Sequence, residues 1–183
     1  MIRKAFLFSF FLIVLSGCET MTNKECMRAD WYGIGLSDGQ SGRYSDYLDN
    51  HAKACGDIGI VPNQQKWLVG RQAGLQQYCT PENAFKIGRR GDSINKVCSP
   101  EQHSKMFQPF YVGKQIYDFE WRINSLEYEL ERLQSDIDQE LISEKPDLNE
   151  IRRLRRKVRS NEREIRTLQQ QKFVVELKVQ DVL

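Results

Sequence analysis

The feature that most constrains the fold is a series of positions spaced alternately three and four residues apart in the C-terminal part of the chain. A first run comprises Ile116, Phe119, Ile123, Leu126, Leu130, Leu133 and Ile137, and Leu141 follows four residues later. A second run comprises Ile151, Leu154, Val158, Asn161, Ile165, Leu168, Lys172, Val175, Val179 and Val182. This alternation is the heptad pattern of helices that pack as coiled coils. The pattern therefore predicts two long helices with an apolar seam, in which Asn161 and Lys172 are polar members.

The two runs are predicted to fold back on each other. Pro146 disfavours helix at Lys145, so the chain should turn between them. Residues 116–142 contain eight acidic and two basic side chains, whereas residues 148–182 contain five acidic and ten basic ones. Because the two helices carry opposite net charges, an antiparallel intramolecular hairpin is favoured over a parallel homodimer. In this prediction Asn161 fixes the register and Lys172 extends its ammonium group to the edge of the seam.

Composition divides the chain near residue 115. Residues 26–115 hold eleven of the twelve glycines and four of the five cysteines, whereas residues 116–183 hold neither residue type. We predict an all-α chain in which 26–115 form a small disulfide-stapled helical domain with Gly/aromatic repeats. In the same prediction 116–183 form an antiparallel coiled-coil hairpin.

The glycines follow aromatic residues in a weak repeat, seen at Trp31–Gly39, Trp67–Gly74, Phe85–Gly91 and Phe110–Gly113. Gly70 and Gly88 are 18 residues apart, which suggests a period near 18. Glycines at positions i and i+4 would let two helices approach closely and would offset a cost of about 1 kcal/mol for each helical glycine. Turns between short strands are the alternative interpretation of these glycines.

Helix start signals favour the helical interpretation. The expected starts are Asp30, Ser45, Pro62, the Thr80-Pro81-Glu82 segment and the Ser99-Pro100-Glu101-Gln102 segment. Pro109 falls inside the last of these helices, so a kink or a restart is expected there.

The N-terminus has the pattern of a targeting segment. Basic Arg3 and Lys4 precede an apolar run that is too short to span a bilayer, so residues 1–17 are predicted to be a signal peptide. The following Leu15–Cys18 segment resembles the bacterial lipobox, which implies lipidation of Cys18 and a tether over 18–25. Glu19, rather than Asp, follows the cysteine. For such lipoproteins this implies an outer-membrane location facing the periplasm; an ordinary signal peptide is the alternative.

Four cysteines remain, namely Cys26, Cys55, Cys79 and Cys98. An even number in an exported protein predicts two disulfides, for which three pairings exist. The pairing Cys26–Cys55 with Cys79–Cys98 closes two short loops and is favoured. A four-cysteine zinc site is the alternative, but the sequence has no close Cys-x-x-Cys pair.

Charge argues against nucleic acid as a partner. The chain has 27 Lys and Arg and 25 Asp and Glu, and removal of residues 1–17 takes away two basic side chains. The predicted mature chain is therefore neutral, and no general basic surface is expected.

A set of short motifs lies between residues 30 and 117. They are Asp30-Trp31-Tyr32, Ile34-Gly35, Asp38-Gly39, His51, Cys55, Gly70-Arg71, Gly74-Leu75, Tyr78–Asn83, Phe85, Gly88-Arg89, Val97-Cys98, Gly113 and Ile116-Tyr117. Together they resemble an uncharacterised proteobacterial lipoprotein family, the domain of unknown function DUF2799. The resemblance implies an envelope location and this architecture, and it transfers no activity. The family's usual glycine after Asn83 is Ala84 here, so that turn could be helical.

The candidate site is a polar cleft formed by Asp30, Asp38, His51, Arg71 and Arg89. Ion pairs that lock the repeats together are the alternative role of these residues. A hydrolase triad of His51 with Ser41 and Asp57, or a metal site of His51, Asp38 and Asp57, has no supporting motif. His51 is therefore expected to be a packed or capping residue, and no catalytic residue, metal or cofactor is assigned.

Three functions are consistent with the sequence. The favoured one is a lipid-anchored outer-membrane protein that binds an envelope protein through its hairpin, rather than an enzyme. The second is an envelope ligand-binding protein or enzyme with a cleft near Trp31, Asp38, His51 and Arg71. The third is binding of peptidoglycan or anionic lipid through the basic helix around Arg152, Arg153, Arg155, Arg156 and Lys157.

Overall fold

A computed structural model describes residues 20–183 of the chain. This part of the chain forms eight α-helices and no β-strand, which confirms the all-α prediction. The helices are α1 (Asn23–Met27), α2 (Trp31–Gln40), α3 (Tyr47–Gly56), α4 (Gln64–Tyr78), α5 (Pro81–Arg89), α6 (Pro100–Leu141), α7 (Leu148–Glu176) and α8 (Val179–Val182). None of the helices described has both the length and the hydropathy needed to cross a bilayer.

Two closely packed helix pairs form the compact part of the molecule, α2 with α4 and α5 with the first turns of α6. Glycines lie where each pair touches. A Cβ atom on Gly39 would come 2.2 Å from the Arg71 carbonyl oxygen, and one on Gly88 would come 2.3 Å from the Phe110 carbonyl oxygen. The backbones therefore approach more closely than any side chain would permit. This confirms the close-approach interpretation and excludes the alternative of glycine turns between strands.

The two pairs are related as an internal repeat. Gly39 lies against the Arg71 carbonyl, three residues before Gly74 of α4. Gly88 lies against the Phe110 carbonyl, three residues before Gly113 of α6. The two glycines therefore meet equivalent parts of the opposite helix. The expected period near 18 is therefore wrong, since Gly70 and Gly88 belong to different helix types of the repeat. The loops between paired helices differ in length, which hides the repeat in the sequence.

The turn after the first helix of each pair has the same construction. Gly42 and Gly91 follow α2 and α5 with φ of +66° and +76°, a conformation that L side chains rarely adopt. In each case the glycine lies against an aromatic ring of the opposite helix, Tyr78 for Gly42 and Tyr117 for Gly91. A side chain at either glycine would be strained and would also overlap the ring.

The compact part contains two apolar clusters, each with one disulfide, and the second cluster also includes Leu75 and Tyr78 of α4. Cys26–Cys55 lies in the cluster with Trp31 and Trp67, and Cys79–Cys98 lies with the cluster that contains Met106. The favoured pairing is therefore confirmed, and a four-cysteine zinc site is excluded. The bridges attach α1 to α3 and the end of α4 to the loop before α6.

Three of the predicted helix starts are confirmed. Asp30, Thr80 and Ser99 cap α2, α5 and α6 through side-chain hydrogen bonds, and Ser99 forms a capping box with Gln102. The remaining two helices are present, but each starts one or two residues later than predicted. Asn63 rather than Pro62 caps α4, and α3 begins after Asp46, whose side chain makes no capping bond, so Ser45 is not its cap.

Helix α6 continues through Pro109 without a restart. Proline cannot donate the hydrogen bond to the carbonyl four residues earlier, which normally ends or kinks a helix. Here α5 holds the turns on both sides, because Met106 packs with Ala84 and Gly113 contacts the Phe85 carbonyl. At 42 residues and 1.5 Å per residue, α6 is about 63 Å long and belongs to both the compact part and the hairpin.

Helices α6 and α7 form an antiparallel hairpin with the predicted seam. Leu133 and Ile137 pack with Ile151 and Leu154 near the turn, and Ile123 and Leu126 pack with Ile165 further from it. The turn lies between Leu141 and Leu148, as Pro146 predicts. The second helix ends at Glu176, and the last seam positions lie beyond it in α8.

The hairpin's ion pairs differ from the predicted charge pattern. Lys172 of α7 contacts Glu120 of α6 at 3.4 Å, as expected, but Arg122 of α6 contacts Glu164 of α7 at 2.8 Å with the reverse polarity. Asn161 has a buried side-chain nitrogen with no hydrogen-bond partner among the described residues. Its polar group therefore weakens the seam.

The N-terminal segment is folded where the sequence predicts a tether. Met21 is buried in the core beside Trp31 and Trp67, and Thr22 forms a capping box with Glu25 at the start of α1. Burial of Met21 and the Cys26–Cys55 disulfide hold this segment on the domain. The predicted signal peptide over 1–17 and the predicted lipidation site Cys18 lie outside the described residues.

Candidate functional site

A buried polar network lies at the centre of the first helix pair. One carboxylate oxygen of Asp38, Oδ2, accepts hydrogen bonds from Nε1 of Trp67 and from Nε2 of His51, both at 2.8 Å. His51 is 4% exposed, and Trp67 is fully buried. On its other side the His51 ring meets the Thr20 hydroxyl, with an Nδ1 to Oγ1 distance of 3.2 Å.

The chemistry of these groups determines which atom is the donor and which is the acceptor in each hydrogen bond. An indole nitrogen can only donate, and an ionised carboxylate can only accept. Nε2 of His51 therefore carries a proton and donates to Asp38. Nδ1 accepts from Thr20 when the ring is neutral and donates to it when the ring is charged, so both ring nitrogens are engaged in either state.

The second helix pair has apolar residues in the equivalent places. Asp38 directly precedes Gly39 as Ile87 directly precedes Gly88, and Trp67 lies seven residues before Gly74 as Met106 lies seven before Gly113. Ile87 and Met106 are both buried and pack in one cluster. At these two positions the repeat thus has a hydrogen-bonded Asp38–Trp67 pair in one copy and an apolar pair in the other. A buried polar group is costly unless it is hydrogen-bonded, so each polar group of this network is needed as a partner for the others.

An open cavity of about 810 Å³ lies beside the network. Its walls are the N-terminal segment from Thr20 to Asp30, one face of α2 with Ser37 and Ser41, and Tyr47 of α3. Asp38 and His51 form part of its lining, and the guanidinium of Arg43 lies 4.5 Å from the Tyr47 ring centroid. The volume is in the range of small-molecule sites.

The structure brings only some of the predicted cleft residues together. Asp38, His51 and Asp30 share the cavity, although the Asp30 side chain already caps α2. Arg71 lies outside the cavity lining; its Nε donates to the Arg43 carbonyl at 2.9 Å. Burial lowers the pKa of Arg71, and the charges of Asp38 and Asp46 oppose that shift. Trp31 is buried in the core, with its ring 6.5 Å from that of His51.

Arg89 belongs to a separate contact at the base of the hairpin. Its guanidinium forms two hydrogen bonds with the Glu120 carboxylate, at 2.8 and 3.2 Å. Partial burial raises the pKa of Glu120, but the hydrogen bonds and charges of Arg89 and Lys172 outweigh it, so the net shift is downward. This ion pair joins α5 to α6 of the second helix pair, so it does not lock the two repeats together, which was the alternative role of Arg89.

The other hypothetical constellations are not assembled in the described part of the chain. No group of three or more His, Cys, Asp or Glu side chains there is placed to hold a metal ion. Asp57 is exposed at the end of α3, whereas Asp38 is the carboxylate that contacts His51. The His51 interaction with a threonine hydroxyl and a carboxylate involves Thr20, not Ser41.

Sequence reasoning missed Trp67 and Thr20 as members of the network. Trp67 reads as a core aromatic of the repeat, and Thr20 lies in the segment predicted to be a tether. The signal that could have found the network is the aligned repeat itself, because Asp38 then stands at a position that is isoleucine in the other copy.

Comparison with known proteins identifies the domain without giving it an activity. No curated protein and no solved structure matches the chain. Residues 30–115 match the family model described as "Protein of unknown function (DUF2799)", which confirms the resemblance inferred from the sequence. The matched segment contains both helix pairs up to the middle of α6 and the Asp38–His51–Trp67 network. Residues 30–115, a little under half of the chain, are therefore similar to this uncharacterised domain family.

Proposed function

We propose that this protein is a lipid-anchored protein of the bacterial outer membrane whose helical hairpin docks an envelope protein in the periplasm. The observation that carries the docking role is a group of exposed aliphatic side chains at the hairpin turn. Leu141, Ile142 and Leu148 are 47%, 86% and 66% exposed. We call these three residues the hairpin tip.

The hairpin tip lies beyond the buried clusters of the seam. The seam ends in the cluster that contains Ile137 and Ile151, before the turn. From Tyr117 to Leu141, α6 extends about 36 Å beyond the second helix pair. Neighbouring exposed apolar groups at the end of a long projection are a feature of binding surfaces.

The N-terminal segment supports membrane anchoring. The described residues begin at Thr20, two positions after Cys18, the proposed site of the acyl chains. Two or three acyl chains hold a protein stably on a membrane, whereas one chain does so only marginally. Two disulfides in the described residues are in keeping with an oxidising compartment.

Anchoring is tested by replacing Cys18 with Ser and following processing and membrane fractionation of the full chain. We expect the variant to be released from the membrane fraction. Unchanged processing and sedimentation with membranes would refute lipid anchoring.

Docking is tested by photo-crosslinking in cells from probes placed at Ile142 and, as a matched control, at exposed Glu144 beside it. We expect an envelope protein to be captured from position 142 and to disappear when Leu141 and Leu148 are replaced by Ser. Capture that is equally strong from the control position, or that survives the serine substitutions, would refute the docking role.

A second candidate function, binding of an anionic cell-wall polymer or lipid, is favoured by the basic run near the hairpin tip. Arg153 pairs with Glu150 of its own helix, but Arg155, Arg156 and Lys157 make no ion pair among the described residues. In this case co-sedimentation with isolated peptidoglycan would fall steeply with salt. It would also be lost when these three side chains are replaced by Gln.

The cleft alternative has less support. The buried groups of Asp38 and His51 already satisfy one another, and Arg89 lies in another part of the molecule. The feature that distinguishes this network is its difference from the second repeat, where Ile87 and Met106 take the places of Asp38 and Trp67.

A further inference from the structure

The outward face of α6 carries a row of exposed aromatic side chains. Phe107, Tyr111, Trp121 and Tyr128 are 49%, 48%, 61% and 75% exposed. Trp121 and Tyr128 each lie two residues from a buried seam residue, Ile123 and Leu126, which places them about 200° around the helix from the seam. They therefore point away from α7.

These aromatics belong to a second series of alternating spacing. With Lys114, Asp118 and exposed Ser125 included, the positions from 107 to 128 are spaced alternately four and three residues apart. We call Phe107, Tyr111, Lys114, Asp118, Trp121 and Tyr128 the outer stripe. A helix with two heptad faces can pack against a second helix on each of them. The first face is covered by α7, and the outer stripe is open.

The four central residues of the outer stripe are Tyr111, Lys114, Asp118 and Trp121. Two copies of this series complement each other when they run in opposite directions. If two copies of α6 pair antiparallel about residue 116, Lys114 of each copy faces Asp118 of the other. Tyr111 of each copy then faces Trp121 of the other. A parallel pair would place Lys114 against Lys114 and Asp118 against Asp118, which is repulsive. We infer that a second copy of this chain binds the outer stripe in an antiparallel, two-fold symmetric dimer.

The size of the outer stripe sets the strength of this dimer. Its 21 residue steps span about 32 Å, and a strip about 10 Å wide buries about 300 Å² on each copy. A stable specific interface buries about 800 Å² on each partner, so this contact is at the weak, reversible end of the range. Its aromatic composition is that of an interface centre, where Trp and Tyr contribute most of the binding energy.

The inference goes beyond the docking role and does not depend on it. The outer stripe and the hairpin tip are different surfaces, and neither contains Cys18. Dimerisation can therefore fail while docking stands, and the reverse also holds.

The first experiment is photo-crosslinking in cells with the full chain. A probe replaces Tyr111, and a matched control probe replaces Asn124, which is exposed on α6 outside the outer stripe. We expect a crosslinked dimer from position 111 with attachment near Trp121, and none from position 124. Trp121→Ser should reduce the dimer about 30-fold. Attachment to another protein, attachment near position 111 of the second copy, or no dimer would overturn the inference.

The second experiment exchanges charges. Lys114→Glu alone and Asp118→Lys alone each place like charges across the two-fold axis and should reduce the dimer about tenfold. When the two variants are co-expressed with different tags, Glu at 114 of one faces Lys at 118 of the other, so mixed dimers should return. Both single variants lack the Lys114–Asp118 pair within the helix, so that loss cannot explain recovery. Failure of the mixed dimer to form would refute the antiparallel arrangement.

Discussion

Removal of the Asp38 carboxylate should destabilise the compact part of the molecule by several kcal/mol. Asp38→Ala leaves the Trp67 indole N–H and the His51 Nε2–H without their acceptor. Each buried donor that loses its partner costs about 1–3 kcal/mol, so the two together cost about 2–6 kcal/mol. The Asp38 side chain retains 11% exposure, which lets water reach the site and places the expected loss near 3 kcal/mol.

The loss can be measured as a shift in the melting temperature. For a chain of this size 1 kcal/mol corresponds to roughly 3 °C, so we expect a decrease of about 9 °C. Trp121 is exposed on the hairpin, and its replacement by Phe leaves Trp31 and Trp67 as reporters of the compact part. Tryptophan fluorescence in that background then follows unfolding of the relevant region, with the disulfides intact.

Two further variants make the measurement specific. Asp57→Ala removes an exposed carboxylate and should change the melting temperature by less than about 2 °C. Asp38→Asn keeps one acceptor oxygen and should lie between wild type and Asp38→Ala. If Asp38→Ala melts within 2 °C of Asp57→Ala, the network does not stabilise the domain. Its polar character would then need a functional explanation.

Three other substitutions test the remaining contacts. Gly39→Ala drives a methyl group into the Arg71 carbonyl and should prevent folding to a protease-resistant form, whereas Gly56→Ala, with open space around its Cβ, should be neutral or stabilising by up to about 1 kcal/mol. Glu120→Gln should lower the melting temperature at pH 7 but not at acid pH. Because the folded-state pKa lies below the ordinary 4.5, the contribution is present above pH 4.5 and is lost as the pH falls through the folded-state pKa; an equal effect at both pH values would contradict this. Asn161→Leu should stabilise the hairpin in chemical denaturation by about 1 kcal/mol, and a loss of stability would contradict the unpaired-amide explanation.

The parts of the fold that sequence predicts well are those governed by local periodicity. Apolar residues spaced alternately three and four apart locate the seam at Ile123, Leu126 and Leu133. A hydroxyl side chain directly before a proline locates the helix caps at Thr80 and Ser99. Short loop closure selects the disulfide pairing. Each of these features is specified within a few turns of chain, or by the spacing of two cysteines.

The parts that sequence misses depend on contacts between distant segments. Asp38, His51 and Trp67 come from three helices, and nothing local marks them as partners. Met21 lies in a short polar segment, and only the core shows that it is buried there. Pro109 breaks a local rule, and packing against α5 on both sides overrides it.

The unbroken course of α6 gives the molecule the mechanics of a lever. One helix begins beside the Cys79–Cys98 bridge and ends at the hairpin turn, so no hinge separates the two regions. With an arm of about 36 Å, a rotation of about 5° at the stapled end displaces the far end by about 3 Å. Force applied at Ile142 would accordingly be transmitted along α6 to the glycine contact between α5 and α6, where the helix is held in place.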